Sequence, residues 1–180
     1  MSGRSLAASL FPWVIVVTAA SGSGSASAAS VTPVAERGAL GRFDLRTLEG
    51  KPIGSSLLKG KVAVLSFWAT WCSPCKRELD ALSEIAANHQ GDDLLILAIA
   101  TDGPETLATV RSTARRKRWK FAVATDSEGR VSAVLNPRGA VPFTLFVDKN
   151  GRVAHVHTGF SVDDDKIYNE LIATLAAEGG

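Results

Sequence analysis

Cysteine is scarce in this chain: only Cys72 and Cys75 occur in 180 residues. No multi-bridge framework can therefore hold the fold, and no second pair is present to complete a four-sulfur zinc site. Whatever the thiols do, they do as one pair. Charge of one sign is also missing, since 20 basic residues against 18 acidic ones leave a net charge of +2. No strong field is available to hold nucleic acid or an anionic membrane surface, so neither is expected as a partner. Apolar runs long enough for several membrane spans are absent, which excludes a multi-span membrane protein. With 46% hydrophobic and 21% charged residues, the composition also excludes disorder and collagen. The length is a prior for one domain.

The amino terminus reads as a secretory signal peptide covering residues 1–28. Arg4 is the one charge before the apolar run Leu10 to Ala20 (LFPWVIVVTAA), and small residues follow from Ser21 to Ser30. The run is shorter than the roughly 20 residues of a membrane-spanning helix, and Ala26-Ser27-Ala28 supplies an A-x-A cleavage pattern. An uncleaved membrane anchor is the alternative reading. No cysteine follows the run, which excludes a bacterial lipoprotein. The expected location is the periplasm, where disulfides persist and a dithiol must be kept reduced or used as an oxidant.

Residues 29–40 show no periodicity and read as a linker before a domain at 41–180. Phe43-Asp44-Leu45 and Pro52-Ile53-Gly54 flank the turn Glu49-Gly50-Lys51 and suggest an edge hairpin. Val62 to Phe67 is a short β-branched run, Pro74 to Asn88 carries Leu79, Leu82, Ile85 and Ala86 on one helical stripe, and Leu94 to Ala100 is a second buried strand. Strand, helix, strand implies a parallel βαβ unit. A weaker helix over Pro104 to Lys117 and a strand at Phe121-Ala122-Val123 come next. Phe143 to Val147 and Val153 to Thr158 flank the turn Asp148-Lys149-Asn150-Gly151 as an antiparallel hairpin. Ser161 to Ala177 closes the chain as a helix, with Ser161 and Asp164 in capping-box spacing. The predicted class is α/β: a central mixed sheet with helices on both faces and an amino-terminal hairpin extension.

The chemistry lies in Phe67-Trp68-Ala69-Thr70-Trp71-Cys72-Ser73-Pro74-Cys75-Lys76, at the carboxyl end of a core strand and the start of a helix. Free amide N–H groups and the positive end of the helix dipole stabilise an anion near Cys72, lowering its thiol pKa and making it the solvent-facing nucleophile. Cys75, three residues on, is close enough for a disulfide and is the resolving thiol. Pro74 fits the first helical turn, where its missing N–H costs nothing. The pair itself serves as the redox cofactor, with no other cofactor and no metal expected.

These residues resemble the exported thioredoxin-fold thiol-disulfide oxidoreductases of the TlpA, ResA and DsbE (CcmG) type. The resemblance runs from about Phe43 to Leu175. It includes the FWATWCSPC segment, Glu78 just after the second cysteine, and Ala140-Val141-Pro142-Phe143-Thr144-Leu145-Phe146-Val147-Asp148, similar to the family's cis-proline segment. By that resemblance Val141-Pro142 is a cis bond facing the cysteines, and Trp71, Pro74, Val141 and Pro142 line a groove for an extended client. Asp80 stands where many relatives carry a helix-kinking proline, and Ser66 where thioredoxins carry a buried aspartate. The resemblance implies a monomeric protein-disulfide reductase that serves exported clients with cysteine pairs, as in cytochrome c maturation or copper-site assembly. A membrane electron donor would re-reduce it.

Several residues admit two readings. Glu78 is either an ordinary solvated helix residue or, one turn beyond Cys75, a proton carrier for that thiol. Trp68 reads as core and Trp71 as groove. His155 and His157 lie on one side of a strand, as surface residues or as metal ligands. Arg115-Arg116-Lys117-Arg118 reads as a basic helix end complementing the dipole. Two other functions share the fold: a copper chaperone, whose exported relatives space their cysteines with three residues, and a thiol peroxidase, which wants Thr or Ser where Ala69 stands.

Overall fold

The computed structural model describes residues 30–89, 91 and 93–179; the signal segment read over residues 1–28 lies outside them. Strands β1 (Asp44–Arg46) and β2 (Pro52–Gly54) pair antiparallel, with Leu45 opposite Ile53. The central run is β3 (Val62–Trp68), α1 (Ser73–Asn88), β4 (Leu94–Ala100), α2 (Leu107–Lys117) and β5 (Ala122–Thr125). It is followed by α3 (Arg130–Leu135), β6 (Phe143–Val147), β7 (Val153–Thr158) and α4 (Asp164–Ala177). The main sheet has the order β5-β4-β3-β6-β7. Strands β3, β4 and β5 are parallel, whereas β6 and β7 run antiparallel.

Period-two alternation sorts the core. Val62, Val64 and Trp68 of β3 join Ile96, Ala98 and Ala100 of β4 on the face covered by α1, α2 and α4, among Leu79, Leu82, Val110, Leu171 and Leu175. Ala63, Leu65, Phe67, Leu97 and Ile99 point the other way, toward α3, the β1–β2 hairpin and Leu58. All seven residues of β3 are buried. A strand closed in on both faces and both edges reads as a continuous apolar run for that reason. Ser66 is the one polar residue in this run, and it falls on the α1 face.

Four local expectations change. Pro104–Thr106 forms a 3₁₀ turn and α2 proper begins at Leu107. α4 begins at Asp164, not Ser161: the Asp164 carboxylate accepts the Ser161 N–H at 2.5 Å, so half of the capping box closes while the chain is still a turn. The six-residue α3 went unpredicted, being too short to show a period. The stretch expected as a linker is hydrogen bonded over residues 30–40 along the outer edge of the sheet, Thr32 N–H to the Ala154 carbonyl and Val153 N–H to that of Gly38. From that strap the buried Arg37 reaches Asp148 Oδ2 at 3.0 Å and both carboxylate oxygens of Glu178 at 2.6 and 2.7 Å. One side chain thus ties the strap, the β6–β7 turn and the end of α4.

Candidate active site

β3 ends at Trp68, and four residues later Cys72 caps α1. Its Sγ accepts the backbone N–H of Cys75 at 3.2 Å, and Cys72 and Cys75 are joined by a disulfide with a Cα–Cα distance of 5.4 Å. Cys72 is 3% exposed and Cys75 fully buried. In this disulfide form the solvent-facing position expected for Cys72 is thus not seen. What separates the two sulfurs is the amide aimed at Cys72, which favours negative charge on that atom once the bond is broken.

The loop before Cys72 is clamped. The Asp102 carboxylate, buried after β4, accepts the Thr70 N–H at 2.9 Å and its hydroxyl at 2.5 Å, while Lys76 Nζ donates to the Thr70 carbonyl at 3.1 Å. Trp71 then stands 74% exposed beside the disulfide, whereas Trp68 is buried edge-on against Trp119 at 5.2 Å. Trp68 is a core residue as expected, and Trp71 is exposed. Asp80 accepts Lys117 Nζ at 2.6 Å and the Trp119 indole N–H at 2.9 Å, so the position where relatives carry proline here joins an unbroken α1 to the end of α2.

Glu78 is fully buried, which excludes its reading as a solvated helix residue. Three hydroxyls from three elements donate to its carboxyl: Ser66 of β3 at 2.8 Å, Thr144 of β6 at 2.6 Å and Tyr168 of α4 at 2.6 Å. Ser66 and Thr144 are opposite one another in the β3–β6 register, so the row under α1 is polar across two strands. Burial raises the Glu78 pKa and outweighs the three hydrogen bonds, which favour the charged form. Burial, then the negative Glu78, likewise pushes the Tyr168 phenol up. Thr144, Tyr168 and Asp102 were not among the sequence candidates. For Thr144 a signal existed: a hydroxyl on the α1 face of an otherwise apolar strand.

Val141-Pro142 is cis and Pro142 is buried, one residue before Phe143, which pairs with Phe67. The prolyl loop therefore lies level with the end of β3, and Val141 packs on the buried cluster that includes both cysteines. A shallow cavity of about 380 Å³, lined by Asn136, Pro137, Arg138, Ala140, Phe143 and Thr158, flanks that loop. Pro74 occupies the first turn of α1 as expected. His157 pairs with Asp164 at 3.1 Å, and His155 meets the Ser30 carbonyl at 3.2 Å. Among the described residues no group of three or more His, Cys, Asp or Glu is arranged to hold a metal. The basic run ends α2, where Lys117 is engaged by Asp80.

A five-stranded mixed sheet with a disulfide at a helix amino terminus level with a cis-prolyl loop is a thioredoxin-like fold with its redox site. Residues 39–156 match the AhpC/TSA family, and the chain belongs to that family. The thiol-disulfide oxidoreductase ResA of Geobacillus thermodenitrificans is 34% identical over 125 residues, covering 68% of this chain and 69% of the relative. The exposed lipoprotein thioredoxin Etrx1 of Streptococcus pneumoniae superposes with a TM-score of 0.61 at 31% identity, over 73% of this chain and 98% of that one. A structure described as thiol:disulfide interchange protein DsbE from Chlorobium tepidum gives a TM-score of 0.71 at 24% identity, over 77% and 96% of the two chains, a likeness of fold. The alignments span 62 to 69% of the length of the ResA relatives from Bacillus cereus and Geobacillus thermodenitrificans. Within its family the chain belongs with the thiol-disulfide oxidoreductases of the ResA type.

Proposed function

We propose that the protein is an exported reductant of disulfides in selected client proteins, acting through a mixed disulfide at Cys72. The observation that carries this reading is the Cys75 amide aimed at Cys72 Sγ from the amino end of α1. In the reduced protein the Cys72 thiolate attacks a client disulfide, forming a Cys72–client bond and releasing one client thiolate. Cys75 gives its proton to the ionised Glu78 carboxyl and attacks Cys72 Sγ, closing the internal disulfide and releasing the second client thiolate. Two electrons pass to the client, and water supplies the protons that its thiolates take up. Glu78, one turn past Cys75 in α1 and fully buried, is the carrier of that proton. Trp71, Pro74, Val141 and Pro142 form the docking face for an extended client.

Clients with cysteine pairs follow from the chemistry; apocytochrome thiols and copper-site proteins are the candidates. Re-reduction in an oxidising compartment calls for a membrane electron donor. No helix among the described residues is long and apolar enough to cross a membrane, so attachment, if the leader remains uncleaved, would fall to residues 1–28. The peroxidase reading lacks its hydroxyl, since Ala69 is buried at that position, and the two-residue cysteine spacing disfavours the copper chaperone. The test is a Cys75→Ser variant used to trap clients. Mixed disulfides that map to Cys72 and reverse with dithiothreitol are expected. A variant that captures no protein thiol, from extracts where wild type reduces disulfides, would contradict the reading.

A further inference from the structure

The polar row beneath α1 does not stop at Glu78. Ser66 of β3 pairs in register with Thr144 of β6, and Thr144 with His157 of β7, so three consecutive strands carry a polar side chain across the face that otherwise holds the apolar core. His157 is partly exposed at the far end, where its Nε2 lies 3.1 Å from Asp164 Oδ2. Tyr168 bridges the two ends. Its hydroxyl donates to Glu78 Oε1 at 2.6 Å and the edge of its ring meets the His157 imidazole with centroids 5.2 Å apart. Phe146 and Phe160 pack on the same ring and hold it in place. Nothing in the exchange chemistry above requires Tyr168 or His157, yet both converge on the group assigned to move a proton.

We propose that Tyr168 is a positioning residue of the disulfide site: it holds the Glu78 carboxyl by its hydroxyl, while His157, anchored on Asp164, braces its ring from the sheet edge. The inference rests on the reading that Glu78 exchanges a proton with Cys75. The groups facing His157 are few. Asp164 and Tyr168 approach from α4, His155 from the same strand at 6.2 Å between ring centroids, the neutral Thr144 from β6, and Glu78 from α1 through Tyr168. Burial keeps His155 below the ordinary histidine range. The Tyr168 hydroxyl eases ionisation of Glu78 by hydrogen bonding to the charged form.

The test follows the protonated-carboxyl C=O stretch of Glu78 by infrared difference spectroscopy across pH in the full-length oxidised protein, assigned by its loss in Glu78→Gln. In parallel, the pH profile of thiol-disulfide exchange is recorded. Tyr168→Phe should raise the midpoint of Glu78 ionisation by about half a pH unit, a roughly three-fold gain in proton affinity, and move the exchange profile the same way. His155→Gln should leave both unchanged. A midpoint that stays fixed in Tyr168→Phe, while Glu78→Gln removes the band and alters the exchange profile, overturns the inference alone. An exchange profile untouched by Glu78→Gln overturns the proton-carrier reading and this inference with it.

Discussion

Glu78 occupies a place where its charge is hard to keep, and the three hydroxyls around it show how the fold tolerates it. A hydrogen bond to a charged group is worth about 1.5–3 kcal/mol, while burying a carboxylate costs several kcal/mol, and here burial wins in direction. The folded protein therefore binds this proton more tightly than the unfolded chain does. As pH rises from the ordinary value of 4.5 toward the raised one, the folded state holds more protons than the unfolded state, so stability falls across that window. Glu78→Gln does not titrate. Its stability relative to wild type should grow with pH above about 4.5 and level off once Glu78 is ionised in the fold. Urea unfolding of the two oxidised proteins at a series of pH values measures this, and a difference independent of pH would contradict the buried-acid account. The sequence shows the two cysteines and Glu78 plainly, because their spacing on one helix is local. Thr144 and Tyr168 lie 66 and 90 residues beyond Glu78, and Asp102 lies 32 residues beyond Thr70, separations that only the fold brings into contact.

At the scale of elements, strands legible as apolar runs proved to be strands because they are closed in on two faces, β3 and β4 above all. The hairpin of β6 and β7 was equally plain from its turn: Gly151 takes φ 76° while the Asp148 carboxylate accepts the N–H groups of Asn150 at 2.9 Å and Arg152 at 3.0 Å. The strap at residues 30–40 was not legible. Its order comes from pairing with an edge strand and from Arg37, neither of which leaves a period in the sequence. Arg37 and Asp148 have side chains only 2% and 3% exposed, and their pairing holds the strap to both the β6–β7 turn and the end of α4. Although burial opposes it, the Arg152 backbone amide and the Arg37 guanidinium hold the Asp148 carboxyl below its usual range. Arg37→Met keeps bulk but strands that carboxylate with Arg152 alone among cations, and should lower stability by about 3 kcal/mol. Exchange at the cysteines should not change, because the triad lies at the opposite end of the strands from Cys72. Denaturant unfolding with a parallel exchange assay checks both parts, and a loss under about 1 kcal/mol, the level of an exposed pair, would show the tie to be unimportant.

For the molecule as a whole, the near balance of charge, 20 basic to 18 acidic residues, offers clients no long-range attraction, so under the proposed function recognition falls to the face around Trp71 and Pro142. The direction of electron flow is then decided by how strongly the fold favours the reduced pair. Thioredoxin and the strong oxidant DsbA mark the extremes, at about −270 and −120 mV. Ser73-Pro74 is closer to the Gly-Pro of reducing thioredoxins than to the Pro-His of DsbA, and no histidine lies between the cysteines to stabilise the Cys72 thiolate further. The aimed amide of Cys75 stabilises that thiolate, but as one donor of a kind every helix amino terminus supplies. A better stabilised thiolate would raise the potential, so a reductant needs this restraint. The most direct measurement is the equilibrium of the Cys72–Cys75 pair with a series of glutathione or dithiothreitol redox buffers, read by mass after alkylation of the free thiols. A potential nearer the thioredoxin value is predicted; one close to that of DsbA would contradict the reductant account.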